Sequence, residues 1–522
     1  MFDLLIKNGI IIDGTGSPSY LSDVAIRDGK IIKVARGIKG DAKKVIDASG
    51  LCVTPGFIDS HSHSDRAIIE APGQREKVEQ GITTAITCQC GNSPAPISRD
   101  AKREDYITVE GVGSLYDIKQ DFPTYVNAVR DIPQGSNQAL LIGHNSIRRA
   151  AMGNDFRAPT EAEMEAMKNH IRKAMENGAL GISFGLGYAP GGCADFNELV
   201  ELCSVVAEYD GLAASHIRDE GDRVAASVAE FINMLKKSGI KTGIVSHHKA
   251  SNRSENWGKV HHTLKMIDQA CEEGLDIYCD VYPYSAFNTD LAAVFTPLEF
   301  RARKREERTA ALYDTEEIEK LRAWIIDRYG SDDMSWVLTA SIPDAPEFSG
   351  RYISDIAQEL GTDHLNGLVE LWRRSDFSGY ACFFATSEDD IETVLSHPRA
   401  MICTDNGSLI NPDTVHHPRL RGSFPRALGR YVREKRVTTL PEMIRKMTSL
   451  PARVYGLKSK GIIWEGMDAD ICIFDEKKII DRAEYIKCFD RAEGLSYVIV
   501  GGEVAAEDAV YNGALKGKIV LR

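Results

Sequence analysis

The sequence contains no apolar stretch long enough to span a lipid bilayer, and its N-terminus lacks the pattern of a secretory signal peptide. It also lacks a long basic run. The formal net charge of its 522 residues is −13, which argues against nucleic acid as the main partner. Eleven cysteines, an odd number, are spread over the chain, as is typical of reduced thiols. These absences predict a cytoplasmic protein with no membrane or nucleic-acid partner.

The chain also has no Gly-x-Gly-x-x-Gly motif, no internal repeat and no low-complexity segment. The missing glycine motif counts against an open, doubly wound sheet of the dinucleotide-binding type, which is the main alternative fold. The composition, 43% hydrophobic and 27% charged, is ordinary for a globular protein, and the length allows more than one domain.

Strand-like apolar segments alternate with amphipathic, helix-like segments through the middle of the chain. Eight such repeats predict an α/β fold, a (β/α)8 barrel of the TIM type. The predicted strands are 53–58, 82–87, 139–144, 180–184, 212–216, 242–247, 276–282 and 400–405.

Both ends of the chain consist of short strands and turns without helical periodicity. We expect residues 1–52 and 455–522 to pair into one small β-sandwich beside the barrel, which takes residues 53–454. Residues 286–384 separate the seventh strand from the eighth, which is long for such a connection, and combine a charged helical pattern with proline-rich turns. Long loops of this kind often carry function. We interpret this segment as an inserted subdomain or lid.

Two histidines one residue apart, His61 and His63, follow the first predicted strand. Side chains alternate between the faces of a strand, so both imidazoles point to one side and could grip one metal ion. Taken alone, the pair is explained equally well as a polar strand end. However, residues that bind Zn²⁺ or related ions also follow other strands, and strand ends converge at the mouth of a barrel. These further candidates are Cys90, His216, His247 and Asp405.

The motif from Pro55 to His63, the flanking β-rich ends and an aspartate after the eighth strand resemble the amidohydrolase superfamily. Within it, the chain resembles the N-acyl-D-amino-acid deacylases, or D-aminoacylases, over nearly its whole length. The other segments that carry this resemblance are 90–93, 178–186, 215–220, 246–249, 282–284 and 417–419.

This resemblance implies a zinc-dependent hydrolase that cleaves the amide bond of an N-acyl-D-amino acid to a carboxylate and a free D-amino acid. It implies a tight Zn²⁺ site made by Cys90, His216 and His247. A second, weaker or empty metal position follows from His61, His63 and Asp405.

The resemblance also assigns chemistry to single residues. Asp405 is implied as the general acid/base, which passes the proton of the attacking water to the departing amine. The candidates for binding the substrate carboxylate are Lys249, Tyr282, Ser285 and Arg419.

Two other functions stay open at this point. Hydantoinase-like and dihydroorotase-like relatives, which open cyclic amides, carry a carbamylated lysine on the fourth strand, but residues 180–184 contain none. A non-catalytic scaffold on the same fold is less compatible with the full set of metal ligands. Cys88 stands two residues before Cys90 and is an alternative ligand. Residues 285–290 depart from the family pattern and contain no arginine, which leaves the substrate side chain open.

Overall fold

A computed structural model describes residues 1–408 and 415–522. At its centre, eight parallel strands follow one another in hydrogen-bonded order. The first and eighth are joined by the Ser60 amide, which donates to the Ile402 carbonyl at 3.4 Å, and by the Asp405 amide, which donates to the His61 carbonyl at 2.9 Å. The predicted barrel is therefore confirmed, with strands Phe57–Asp59, Ile82–Thr87, Asn137–Leu140 extended by Ile142–Gly143, Gly181–Gly185, Leu212–His216, Thr242–Val245, Asp276–Val281 and Ala400–Ile402.

Helices cover the outside of these strands because each presents one apolar face. In the helix Val224–Ser238, for example, Val228, Phe231 and Leu235 are buried at helical spacing. The strands are buried on both faces, as in other parallel sheets. The longer helices of the barrel layer are Phe122–Val129, His144–Met152, Glu161–Glu176, Phe196–Ala207, Val224–Ser238, Lys259–Glu272, Glu388–Ser396, Arg419–Arg426 and Leu440–Met447.

The two chain ends pair with each other in one continuous nine-stranded sheet. The boundary differs from the one predicted at residue 53, because Cys52–Pro55 is a strand of this sheet and the first barrel strand begins at Phe57. Ile6, Val53 and Ile471 lie in its shared apolar core. The last strand, Ile519–Val520, leaves this sheet and pairs with barrel strand Asn137–Leu140. The nine strands are Phe2–Ile11, Tyr20–Arg27, Lys30–Ala35, Ala42–Asp47, Cys52–Pro55, Ile471–Phe474, Leu495–Val500, Glu503–Glu507 and Val510–Tyr511.

The segment between the seventh and eighth barrel strands forms a subdomain with its own core, in which Phe295, Leu321 and Trp372 are buried. Its three-stranded sheet is antiparallel. The strands are Phe287–Asp290, Val337–Thr339 and Tyr380–Phe383, and the helices are Leu291–Phe295, Leu298–Arg301, Arg305–Ala311, Thr315–Tyr329, Ile353–Leu360 and His364–Ser375. Within the described ranges, no helix of the protein is both long and apolar enough to cross a membrane.

A buried ion pair fastens the first strand to the eighth at the mouth of the barrel. The Lys77 ammonium donates to Asp59 Oδ2 at 2.8 Å, to Thr404 Oγ1 at 2.7 Å and to the Asn406 carbonyl at 2.8 Å. Both charged side chains are 0% exposed. Since Asp59 and Thr404 are close in sequence to His61 and Asp405, the pair supports the backbone that carries these two side chains.

Replacing Lys77 with methionine is expected to lower the free energy of unfolding by about 3–5 kcal/mol, because the Asp59 carboxylate would then stay buried without a counter-charge. Urea denaturation followed by circular dichroism measures this loss. The double variant Lys77→Met, Asp59→Asn removes both charges and is expected to recover part of the stability. A single variant within about 1 kcal/mol of wild type would show that the pair does not hold the strands together.

Candidate active site

Six side chains meet at the carboxyl end of the barrel strands, where the sequence places its candidate ligands. Ligand atoms of one group of four lie within 4.8 Å of one another, and three of these residues are buried. Convergence of distant residues at this end is what the barrel geometry predicts. The group consists of His61, Cys90, His247 and Asp405; His63 and His216 contact it.

The Cys90 thiol lies at the centre of this group. Its Sγ is 3.3 Å from His61 Nε2, 3.4 Å from His247 Nε2 and 4.0 Å from His216 Nδ1. Burial alone would raise the pKa of the thiol, but the facing His61 and His247 lower that pKa well below its ordinary value. The thiolate is the form of cysteine that binds metals.

Three of the group's residues have a backbone conformation that side-chain-bearing residues rarely adopt. The φ angles of Cys90, His247 and Asp405 are 50°, 36° and 46°. Such left-handed conformations cost free energy in residues other than glycine and cluster at functional sites. Each of the three lies two or three residues after the end of a barrel strand. The strained turn at this point directs the side chain into the mouth of the barrel.

Asp405 faces two histidines on one side and an arginine on the other. Its Oδ1 lies 3.1 Å from His63 Nε2 and 3.6 Å from His61 Nε2, while Oδ2 accepts a hydrogen bond from Arg419 Nη1 at 2.6 Å. Burial tends to raise the pKa of this carboxyl, but Arg419 and then His247 hold it well below its usual range. Asp405 is therefore an ionised carboxylate with one oxygen directed at the metal-binding side chains.

A second group shares His247 and includes Glu220, a residue to which the sequence analysis gives no role. The His216 Nδ1 and His247 Nε2 atoms are 3.0 Å apart. On the far side of the imidazole, His247 Nδ1 lies 2.9 Å from Glu220 Oε1. A carboxylate bonded to one ring nitrogen fixes the tautomer that leaves the other nitrogen for a metal. Glu220 lies in the irregular loop after the fifth strand, so no helical or strand periodicity marks it in the sequence.

Asp280 is a further residue that the sequence analysis missed. It lies on the seventh barrel strand, fully buried, and its Oδ1 accepts the backbone amide of His247 at 2.5 Å. Its other oxygen is 3.6 Å from His61 Nδ1. The rule that identified the other candidates, a ligand-type residue towards the end of a barrel strand, applies equally to Asp280.

The four candidates for binding a substrate carboxylate have different surroundings. Lys249 and Arg419 line the main cavity. The Lys249 ammonium donates to Glu220 Oε1 at 2.7 Å. Tyr282 is buried beneath both cations, with Arg419 4.6 Å from its ring centre. Ser285 is not among the described residues that line the cavity, and its carbonyl accepts from Thr386.

Cys88, the alternative ligand, lies outside both groups of the described structure. Its amide donates to the Asp65 carboxylate, and burial raises the pKa of its thiol well above the ordinary value. On the fourth strand, Ser183 holds the loop that carries Cys90, because its hydroxyl donates to the Cys88 carbonyl at 2.6 Å and accepts from the Gly91 amide at 3.1 Å. This geometry presents Cys90, and not Cys88, to the histidines.

The arrangement fits a divalent metal ion. Imidazole nitrogen, thiolate sulfur and carboxylate oxygen are the donors that Zn²⁺ takes in proteins. The atoms of Cys90, His216 and His247 are 3.0–4.0 Å apart. The site opens into a cavity of about 2220 Å³ that extends beneath the inserted subdomain. A buried ligand cluster at the bottom of a large cleft is typical of an active site.

Comparison with known proteins agrees with this geometry. The model of the amidohydrolase family matches residues 44–331 and 351–506. An N-acyl-D-glutamate deacylase from Alcaligenes xylosoxydans xylosoxydans is 36% identical over 501 residues, which cover 96% of this chain and 93% of the relative.

Two solved structures are similar over the full length of both chains. One is an N-acyl-D-glutamate deacylase from Bordetella bronchiseptica, complexed with zinc and a phosphonate inhibitor that mimics the tetrahedral intermediate, with 33% identity and a TM-score of 0.84. The other is a D-aminoacylase with a binuclear metal centre, with 30% identity and a TM-score of 0.83.

Proposed function

Because this chain belongs to the amidohydrolase family, we propose that it is a zinc-dependent N-acyl-D-amino-acid deacylase. It hydrolyses the amide bond of an N-acyl-D-amino acid and releases a carboxylate and the free D-amino acid. The full-length similarity to deacylases, rather than to a shared fold alone, supports this substrate class.

The observation that carries the proposal is the meeting of Cys90 with three histidines beside an ionised Asp405. Cys90, His216 and His247 would hold the tight zinc ion, and His61, His63 and Asp405 a second, weaker position. The fourth strand, Gly181–Gly185, has no lysine, which weighs against a cyclic-amide hydrolase of the hydantoinase type.

A zinc ion held by these ligands would supply Lewis acidity, which polarises a carbonyl and lowers the pKa of water towards about 7. Asp405 takes the proton of the attacking water on the oxygen that faces His63. It then donates that proton to the amide nitrogen, which makes the amine a competent leaving group. Arg419, bonded to the other oxygen, keeps the carboxylate ionised between turnovers and fixes its orientation.

The remaining polar residues position the reactants. Glu220 and Asp280 orient His247 through its Nδ1 and its backbone amide. The Lys249 ammonium, in the cavity wall beside His247, orients the carboxylate of the substrate. Arg419 can contribute its planar guanidinium to the same carboxylate, a pairing that favours two parallel hydrogen bonds. Tyr282 packs beneath both cations. Ser285 remains a candidate for binding the substrate carboxylate, because the strand that follows it, Phe287–Asp290, lines the cavity.

A hydrolysis screen tests the proposal. Wild-type protein loaded with zinc is expected to release free amino acid from N-acetyl-D-amino acids at least about 10-fold faster than from their L-enantiomers, because a chiral site that binds three groups discriminates between mirror images. The zinc content of the same sample is measured by elemental analysis, and hydantoin and dihydroorotate serve as matched cyclic amides. If the protein opened these rings but released no free amino acid from N-acyl amino acids, the deacylase proposal would be wrong and the cyclic-amide function would take its place.

A further inference from the structure

Two polar atoms inside the barrel face each other and have no other partner. His61 Nδ1 and Asp280 Oδ2 are 3.6 Å apart, and both side chains are 0% exposed. Neither atom has a hydrogen-bond partner among the described residues, and neither residue lines the cavity. Buried polar atoms of native proteins are nearly always paired. Since a substrate in the cavity does not contact them, each atom is the partner that is left for the other.

The opposite nitrogen of the His61 imidazole faces the metal-binding side chains. Its Nε2 lies 3.3 Å from Cys90 Sγ and 3.6 Å from Asp405 Oδ1. A neutral imidazole carries one proton, and the nitrogen that binds a metal is the one without it. His61 can therefore bind a metal through Nε2 only when its proton is on Nδ1, where Asp280 Oδ2 is the acceptor.

The other oxygen of the same carboxylate supports a ligand of the tight position. Asp280 Oδ1 accepts the backbone amide of His247 at 2.5 Å. The φ angle of His247 is 36°, a conformation that costs free energy in a residue with a side chain, and this hydrogen bond helps to hold it. The ring centres of His61 and His247 are 4.9 Å apart. One buried carboxylate thus lies against a histidine of each metal position.

The two positions differ in how completely the outer contact of the histidine is formed. At the tight position, His247 Nδ1 lies 2.9 Å from Glu220 Oε1, which is a hydrogen-bonding distance. At the second position, the corresponding distance from His61 Nδ1 to Asp280 Oδ2 is 3.6 Å, which is too long for a hydrogen bond. Loss of such an outer contact lowers metal affinity by about 10–100-fold. The longer contact is therefore consistent with weaker binding at the second position.

We propose that Asp280 is the positioning residue of the second metal position, because its Oδ2 selects the tautomer of His61 that can bind a metal. Its Oδ1 at the same time fixes the backbone of His247 at the tight position. This inference rests on the proposed zinc-dependent function. It goes beyond that function because it names the residue on which binding of the second ion depends.

The variant Asp280→Asn replaces one carboxylate oxygen with an NH₂ group. The backbone amide of His247 is a donor, so it keeps the asparagine oxygen on its side and turns the NH₂ group towards His61. His61 Nδ1 must then accept, which places the imidazole proton on Nε2, the nitrogen that faces the metal position. We expect the dissociation constant of the second zinc ion to rise by about 10–100-fold and that of the first to change by less than about 3-fold.

Titration of metal-free protein with zinc measures both constants on one preparation. Competition with a chromophoric chelator gives the first constant, and equilibrium dialysis at higher zinc concentrations gives the second. Normal binding of the first ion shows that the variant is folded. Asp280→Ala also removes the acceptor of the His247 amide and is expected to weaken both ions. Glu198→Gln is the matched control, since Glu198 is a buried carboxylate 2.9 Å from His144 Nε2 but outside both metal-binding groups. It is expected to keep both constants.

A measurement on the wild-type protein does not depend on the folding of the Asp280 variants. In protein labelled with ¹⁵N-histidine and loaded with one zinc ion per chain, long-range ¹H–¹⁵N spectra distinguish the two ring nitrogens. The signals of His61 are identified as those that are missing in His61→Gln. We expect a proton on His61 Nδ1, and a proton on Nε2 alone would overturn the inference.

An unchanged second constant in Asp280→Asn would also overturn it. So would equal weakening of both ions in that variant, which indicates a purely structural role, or a wild-type protein that binds only one zinc ion. In each of these cases, hydrolysis of N-acetyl-D-amino acids by the protein with one zinc ion leaves the proposed function intact. If the wild-type protein bound no zinc, or hydrolysed none of these substrates, the proposed function itself would be wrong.

Discussion

Replacing Asp405 with asparagine is expected to lower kcat by about 10³-fold or more, because general acid–base catalysis at a single residue contributes up to about 10⁴-fold and Asp405 is the carboxylate hydrogen-bonded to His63. The amide keeps the shape of the carboxylate and its contact with Arg419, so substrate binding changes little. The loss therefore falls on kcat and not on KM. Steady-state hydrolysis of an N-acetyl-D-amino acid measures both quantities.

A measurement of metal content distinguishes the loss of acid–base catalysis from the loss of the metal site. The three ligands of the tight position, Cys90, His216 and His247, are unchanged in this variant, so zinc measured by elemental analysis stays at the wild-type level. Asp219→Asn is a suitable control, since Asp219 also lines the cavity but lies outside both metal-binding groups. A near-normal kcat in Asp405→Asn with full zinc content would refute the acid–base assignment.

Replacing Cys90 with alanine is expected to weaken zinc binding by more than about 100-fold, beyond the 10–100-fold typical of losing an outer-shell partner. The thiolate is the one sulfur ligand of the group and lies within 4.0 Å of three imidazole nitrogens. Its loss also leaves those histidines without the negative charge that draws them together. Competition with a chromophoric chelator measures the affinity, and hydrolysis falls in parallel.

Cys88→Ala is the matched control for this substitution. Cys88 is also buried and also has a positive φ angle, of 66°, but its thiol belongs to neither metal-binding group in the described structure. It is expected to retain wild-type zinc affinity. Equal losses in the two alanine variants would show that the loop conformation, rather than the Cys90 thiolate, determines metal binding.

The features that can be predicted from the sequence follow from one geometric rule, that the parallel strands of a barrel end at the same mouth. A ligand-type residue that follows an apolar run is therefore expected at this mouth, even when the packing between the strands is unknown. The residues placed in this way are His61, Cys90, His216, His247 and Asp405. The same rule also identifies Asp280, which lies one residue before the end of its strand. The eight strands themselves are visible because burial on both faces requires continuous apolar segments.

What the sequence does not show depends on how loops and domains pack. The bond from Glu220 to His247 requires the path of the loop after the fifth strand, which no periodicity encodes. In the sequence, Lys77 is indistinguishable from other charged helical residues, and only the closed barrel shows that it is buried against Asp59. The order of the terminal sheet joins residues from opposite ends of the chain. Arg301 and Arg308 lie in a charged stretch of the sequence, and only the packing of the inserted subdomain shows that both line the cavity.

Zinc K-edge X-ray absorption of the protein loaded with one zinc ion per chain tests the central claim, that a metal is bound at the barrel mouth through Cys90. The account predicts one sulfur in the first coordination shell at about 2.3 Å, with nitrogen or oxygen ligands at about 2.0–2.1 Å, and loss of the sulfur signal in Cys90→Ala. A shell of nitrogen and oxygen alone in the wild-type protein would contradict it.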